Sequence, residues 1–230
     1  MPTGNRKPYK GLGMEGWIAR WYTRTRGNDL DDFRSQAGRA AEHLKPETAV
    51  LEVAPGPGFF AIELAKRGDF KVTGLDISRT FVEIATANAR SAGVNVDFRH
   101  GSASDMPFAD GSFDFVHCSA AFKNFSEPLK ALDEMNRVLR PGGEAVIVDL
   151  RKDCSLHEID DYIRRSGRRR LDALMTRWTF RLLLIKRAYS TDEFRNLAEQ
   201  SRFGSCRLDL DEIGFEARLK KPVREAVEAA

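Results

Sequence analysis

Short apolar runs alternate with longer amphipathic stretches along most of this chain. Ala49–Ala54 (AVLEVA) is an apolar run that ends at a proline–glycine turn, so it reads as a buried strand. Gly58–Arg67 follows with helical spacing, carried by Ile62, Leu64 and Ala65. Phe70–Asp76 (FKVTGLD) reads as a second strand. Ser78 then caps a helix to Ala92, with Phe81, Ile84, Ala85 and Ala89 at helical spacing. Val94–Arg99 and Phe113–Cys118 (FDFVHC) give strands three and four. Ser126-Glu127-Pro128 opens a helix that Arg140-Pro141-Gly142-Gly143 stops after Leu139, and Glu144–Leu150 (EAVIVDL) is strand five. Strands and helices alternating at this pace imply an α/β fold, with parallel strands, right-handed crossovers and helices on both faces of an open, doubly wound sheet.

The rhythm changes after Leu150. Leu156–Arg165 and Leu171–Arg187 read as helices, the second with Leu171, Leu174, Met175, Trp178, Leu182 and Ile185 on one stripe. Thr191-Asp192-Glu193 caps a further helix to Gln200. Cys206–Leu210 and Phe215–Lys220, joined by a short turn, predict a terminal hairpin and bring the sheet to seven strands. Asp32–Leu44 is expected as a lead-in helix, and residues 1–28 have no firm assignment. The expected organisation is a single domain: an N-terminal cap (1–45), a core (46–150), a helical insertion (151–190), and the last helix with the hairpin (191–230).

Composition narrows the function class. The chain has 230 residues, 42% of them hydrophobic and 31% charged, as in ordinary globular proteins. Three separated cysteines (Cys118, Cys154, Cys206) argue against a disulfide framework and a CxxC metal site, and no metal is expected. No apolar run approaches the roughly 20 residues of a membrane span. The basic start lacks the apolar segment of a secretory signal, so the reading is cytoplasmic. The net charge of +3 is unevenly spread. Residues 1–26 carry six basic side chains against Glu15, and residues 164–187 carry nine against Asp172. Two positive segments can therefore gather around one surface.

The candidate chemistry begins where strand one meets Glu52-Val53-Ala54-Pro55-Gly56-Pro57-Gly58. Glycines let backbone approach a ligand, and the next helix points its first N–H groups into the same space. Asp76 ends strand two, where an acid can accept both hydroxyls of a ribose. These residues alone also fit Gly56-x-Gly58-x-x-Ala61, a dinucleotide fingerprint, so a nicotinamide-linked oxidoreductase stays open on them.

Four segments together go further. VLEVAPGPG, GLDIS, GSASDMPFADGSFDFV and EMNRVLRPGGEAVIVDL stand in the order found in the Rossmann-like (class I) S-adenosylmethionine-dependent methyltransferases, and Ala49–Leu150 resembles that family. AFKNFSEP further resembles the corresponding segment of the ubiquinone and menaquinone C-methyltransferases. The resemblance implies S-adenosylmethionine as cofactor, and the terminal hairpin antiparallel beside strand five. It also implies a donor site in which Glu52, Ala54, Gly56 and Gly58 hold the methionine end and ribose side, and Asp76 the ribose. Ile77 would lie on an adenine face, Ser102 and Ala103 at the adenine edge, and Ser119 at the methionyl end. Two residues depart from the family pattern. Ala54 replaces the first glycine, which costs about 1 kcal/mol or more if its φ is positive. Ser102 stands where many members have an acid, and Asp105 nearby could take that part.

A sulfonium methyl is already activated, so the protein mainly supplies aim. His117 is the one tempting general base, although strand alternation could turn it away from the cleft. Phe122, Lys123 and Asn124 are expected to touch the acceptor. Trp17, Trp21, Tyr22, Trp178 and Arg181 are expected to form a basic, aromatic roof suited to a small anionic, aromatic or lipophilic acceptor. The function so read is methyl transfer to a small molecule. RNA methylation and quinone or lipid methylation at a membrane surface are the alternatives, followed by a non-catalytic donor-binding module. No Asp-Pro-Pro-Tyr or Asn-Pro-Pro-Tyr motif is present, so DNA is not an expected partner.

Overall fold

A computed structural model describes residues 9–10, 13–26, 30–165 and 185–223. Its elements run α1 (Gly16–Arg26), α2 (Leu30–Ala41), β1 (Ala49–Val53), α3 (Phe59–Ala65), β2 (Lys71–Asp76), α4 (Arg79–Ala92), β3 (Asp97–His100), β4 (Phe113–Ser119), α5 (Pro128–Val138), β5 (Leu139–Leu150), α6 (Leu156–Arg165), α7 (Thr191–Gln200), β6 (Arg207–Leu210) and β7 (Gly214–Lys220). Short 3-10 turns sit at Phe122–Asn124 and Ile185–Arg187.

The strands form one seven-stranded sheet in the order β3-β2-β1-β4-β5-β7-β6. The first five are parallel, and β7 runs antiparallel between β5 and β6. This is the expected doubly wound sheet with its terminal hairpin against strand five. Alternation divides the apolar side chains between two faces. Leu51, Val53, Val116, Cys118, Ile147 and Phe215 pack under α5 and α7, with Leu132, Met135 and Phe194. Val50, Val72, Phe115 and Val146 pack under α2 and α3, with Phe33, Ala37, Phe60 and Leu64. Covering both faces leaves the carboxyl ends of the parallel strands as the natural binding edge.

Several boundaries differ from the sequence expectation for identifiable reasons. Strand three starts at Asp97, not Val94, because Gly93 ends α4 in a left-handed conformation and the Val94 N–H bonds back to Ala89 O at 3.1 Å. The fifth strand starts at Leu139 rather than Glu144. Its Arg140–Gly143 stretch bulges, and Gly142 N–H and Gly143 O pair with Lys221 O and N–H at 2.9 Å each. A Cβ on Gly143 would lie 2.8 Å from Asp114 O, so this close approach needs glycine. The cap of α7 is Ser190 in a full capping box with Glu193, one residue before the expected Thr191. The helix expected over Leu171–Arg187, with Trp178 and Arg181, lies outside the described residues except for Ile185–Arg187, which form a 3-10 turn. Among the described residues no helix is long and apolar enough to cross a membrane.

The unassigned N-terminal stretch contains α1, which is fastened across the start of α4. The Glu15 carboxylate accepts Arg79 N–H at 3.0 Å, Thr80 N–H at 3.1 Å and Thr80 Oγ1. Ser78 Oγ accepts Phe81 N–H at 3.1 Å and donates to Met14 O at 2.6 Å. Three N-terminal amides of α4 are thus satisfied, two of them from another part of the chain. Partial burial acts to raise the Glu15 pKa, but the hydrogen bonds from Thr80 and Arg79 outweigh it and hold the carboxyl below its usual range. Glu15→Ala is therefore expected to cost about 1 kcal/mol, the scale of a lost helix cap. Tryptic cleavage within α1 should speed up several-fold in this variant while cleavage elsewhere is unchanged, and equal rates would remove the fastening role.

Candidate functional site

The loop after β1 is built from left-handed residues. Ala54 has φ 57°, Gly56 φ 54° and Gly58 φ 80°. Ala54 carries the strain that its side chain implied, held there by its N–H bond to Leu75 O at 2.8 Å. A Cβ on Gly58 would lie 2.7 Å from Phe98 Cζ and 2.9 Å from the Ala85 methyl, so packing admits only glycine. At Gly56 the nearest such neighbour is Tyr22 Cε1 at 4.0 Å, which leaves the loop open on its ligand side. Asn88 Nδ2 donates to Pro57 O at 2.9 Å and ties the loop to α4.

Asp76 organises this edge. Its Oδ2 accepts Gly56 N–H at 2.9 Å and its Oδ1 accepts Ser78 N–H at 2.8 Å. One carboxylate therefore aligns the glycine loop with the cap of α4, and its remaining lone pairs are free for a diol. Burial pushes its pKa up to about 6 against the pull of these two amides. Asp76 O also accepts Gly101 N–H at 2.9 Å, which brings the 101–105 turn alongside. In that turn Ser102 O accepts Asp105 N–H at 3.2 Å, and Ser102 Oγ lies 3.1 Å from Ser104 Oγ. Ala103 packs on the core beside it, Ile77 O meets His100 Nε2 at 3.1 Å, and Ser119 ends β4. Ala54, Gly56, Gly58, Asp76, Ile77, Ser102, Ala103 and Ser119 thus share the carboxyl edge.

Glu52 works from beneath. It is 3% exposed, and its Oε2 accepts Ala61 N–H at 3.0 Å in the first turn of α3. Burial raises its pKa to about 8. The structure gives it the part of anchoring the loop and helix, not of reaching a ligand at the edge.

The expected acceptor residues divide. His117 is not brought to the edge. It is in register with Glu52 and points to the α3 face, where its ring stacks on Phe60 with centroids 3.7 Å apart. It lines a separate cavity of about 450 Å³ under α2, with Gln36, Arg39 and Val146. Burial lowers its pKa to about 3, so it stays neutral and out of reach as a base. Burial likewise pushes the neighbouring Cys118 thiol up, away from a nucleophilic thiolate. Phe122 is fully buried among Phe125, Tyr189 and Phe194, as core and not as an acceptor contact. Lys123 also turns inward. Its Nζ donates to Asp149 Oδ1 at 2.7 Å and Ala120 O at 2.6 Å, and its N–H to Asp149 Oδ2 at 2.9 Å. Asn124 stays at the surface of the 3-10 turn, its carbonyl accepting Lys10 N–H at 2.8 Å. On α1, Tyr22 faces Gly56 and meets Phe81 edge-on at 5.8 Å, whereas Trp17 and Trp21 face outward, 75% and 60% exposed.

Tyr9 escaped the sequence reading. It bridges Phe125 at the far side of the 3-10 turn, and Arg187 donates to the adjoining Lys10 O at 3.2 Å. Burial, then Tyr22, raise its hydroxyl pKa. Arg187 opposes them, and Asp76 and Asp149 add to the rise, so the phenol is within electrostatic reach of both carboxylates that end β2 and β5. An isolated tyrosine in a non-periodic stretch carries no sequence signal for this placement.

The loop and Asp76 fit S-adenosylmethionine: an open glycine turn for close backbone approach, and a buried carboxylate for a ribose. Comparison with known proteins points the same way. Residues 51–147 match the family model described as "Methyltransferase domain". The demethylmenaquinone methyltransferase of Deinococcus radiodurans is 37% identical over 124 residues, 54% of this chain and 51% of that protein. The enzyme of the same name from Thermus thermophilus is 37% identical over 124 residues, 54% of this chain and 56% of that protein. The chain thus matches only about half the length of these curated relatives. In fold, a putative S-adenosylmethionine-dependent methyltransferase from Methanococcus maripaludis superposes with a TM-score of 0.74 at 19% identity, covering 95% of this chain and 98% of that one. A methyltransferase of the same kind from Aquifex aeolicus gives a TM-score of 0.61 at 22% identity, over 81% of this chain and 88% of that one. Residues 51–147 of this chain therefore match a methyltransferase domain, on the fold shared with these solved structures.

Proposed function

We propose that this chain binds S-adenosylmethionine at the carboxyl edge of its sheet and directs the methyl group onto a small aromatic, quinone-type acceptor. The observation that carries the donor half is the Asp76 carboxylate, fixed by the Gly56 and Ser78 amides beside the left-handed loop. The acceptor half is supported by the demethylmenaquinone methyltransferases among the relatives and by the AFKNFSEP segment.

When bound, the donor supplies a sulfonium methyl that needs no further activation. The chain's part is positioning. Asp76 takes the ribose hydroxyls, and Gly56 and Gly58 offer backbone to the methionine side. Ile77, Ser102 and Ala103 border the adenine, and Ser119 the methionyl end. Tyr9, Tyr22 and Asn124 border the acceptor, and Tyr9 offers it a neutral hydroxyl. Such alignment of two reactants can supply up to about 7–11 kcal/mol of the barrier in ideal cases.

Titration calorimetry tests the donor site. Asp76→Ala is expected to weaken donor binding by about 1–3 kcal/mol, the loss of charge-assisted hydrogen bonds. In the unaltered chain, affinity should fall as pH drops below about 6, because the protonated carboxyl no longer accepts both hydroxyls. Unchanged affinity in the variant would remove the ribose role. Transfer of radiolabel from the donor to a soluble demethylated naphthoquinol tests the acceptor, and donor binding without any transfer would leave a binding module only.

A further inference from the structure

The helix fastened across the start of α4 has a second face that, among the described residues, packs against nothing. Ala19 is fully buried on the inner side of α1, and Ile18, Tyr22 and Thr23 are partly buried beside it. The outer side is formed by Trp17, Arg20, Trp21 and Arg24, all four exposed. Their spacing of three, one and three residues puts them on one continuous stripe, tryptophan and arginine in alternation. Among the described residues, Trp17 and Trp21 are two of the large apolar side chains left in solvent, at 75% and 60% exposure. No acidic residue occurs in α1, and the nearest one along the chain, Glu15, is engaged on the α4 amides.

This chemistry is selective. Two indoles in water are costly, and burying them in a protein core would leave both guanidinium groups to be desolvated as well. An anionic lipid surface meets both needs. Tryptophan prefers the headgroup boundary, where its ring is buried and its N–H stays hydrated. Arginines between the rings lie level with the phosphates. The same helix presents Tyr22 to the donor loop, so its inner face borders that loop while its tryptophan–arginine face points the other way.

We propose that the Trp17–Arg20–Trp21–Arg24 stripe docks the protein on an anionic membrane surface and so brings the donor edge to an acceptor dissolved in lipid. The link to an acceptor rests on the quinone-type reading above; the docking itself does not.

The test uses the full chain and vesicles of phosphatidylcholine with or without phosphatidylglycerol. Co-sedimentation with the anionic vesicles is expected, weakening as salt rises, with a blue shift of tryptophan fluorescence in a Trp178→Phe background that leaves Trp17 and Trp21 to report. Trp17→Ser/Trp21→Ser and Arg20→Glu/Arg24→Glu should each weaken partitioning by about tenfold or more, with donor affinity unchanged. Transfer to a long-tailed quinol in vesicles should fall in both variants, while transfer to its soluble short-tailed analogue holds. Vesicle binding that survives both double variants, or absence of binding, would overturn the proposal. So would tighter binding of poly(U) RNA that the same variants abolish, which would assign the stripe to nucleic acid. Vesicle binding lost in both variants, in a chain that transfers methyl to neither quinol, would support the docking and discard the quinone reading.

Discussion

Lys123→Met is expected to destabilise the protein by about 3–5 kcal/mol, the usual cost of removing one partner from a buried ion pair. The Lys123 and Asp149 side chains are 5% and 2% exposed, and their charged atoms lie 2.7 Å apart. Methionine keeps most of the stem's volume but leaves the Asp149 carboxylate with only the Lys123 and Leu150 backbone N–H donors, at 2.9 and 2.8 Å. It also frees Ala120 O, which accepts from the ammonium, at a residue held at φ 57°. The pair closes the corner between β4 and β5, so its loss loosens the wall of the edge as well as the core. For a chain of this size the melting temperature should fall by about 6–20 °C. Lys123→Met/Asp149→Asn should recover about 1–2 kcal/mol, because the orphaned charge is gone. A melting temperature that does not move in the single variant would mean the pair contributes nothing net.

A second large effect belongs to Glu52 and appears as pH dependence. Its carboxyl has a folded-state pKa of about 8 because it is buried, against the ordinary 4.5 of the unfolded chain. The folded protein therefore holds a proton that the unfolded chain releases. The stability this gives is complete below about pH 4.5 and is lost progressively as pH rises toward 8, by about 5 kcal/mol over the whole window. Asp76 adds a smaller loss of the same sign between about pH 4 and 6. Glu52→Gln keeps an oxygen for the Ala61 N–H and has no proton to lose. Denaturant unfolding of the variant should be nearly flat from pH 6 to 9, where the unaltered chain loses about 3 kcal/mol. A parallel slope in both proteins would show that the carboxyl ionises as freely in the fold as in solution.

The difference between what was readable and what was not follows sequence distance. The glycine loop, Asp76 and the cap at Ser78 are local: each acts on backbone within about twenty residues, through rules that depend on residue type alone. The sheet and its terminal hairpin were legible because apolar runs set the strands and turns set their ends. His117 and Glu52 share a face, yet alternation only says that neighbours differ; which side meets the ligand depends on where α3 settles. Lys123 reads as an acceptor contact because its counterion is 26 residues away, on a strand that pairs with β4 only once the sheet forms. Phe122 carried a signal for apolar contact, and the core answered it before any acceptor could. Tyr9 and Glu15 sit where no periodicity exists, and Glu15 finds its partners 64 and 65 residues on.

That last connection alters how the first stretch of the chain should be regarded in practice. Trimming the gene to begin at Leu30, as tidy engineering of a regular α/β core would suggest, would strip the amides of Arg79 and Thr80 of their acceptors and unroof Gly56. The shortened chain would keep every strand and its covering helices in sequence, yet lack the carboxylate that ends those two amides and the ring that stands beside the glycine turn.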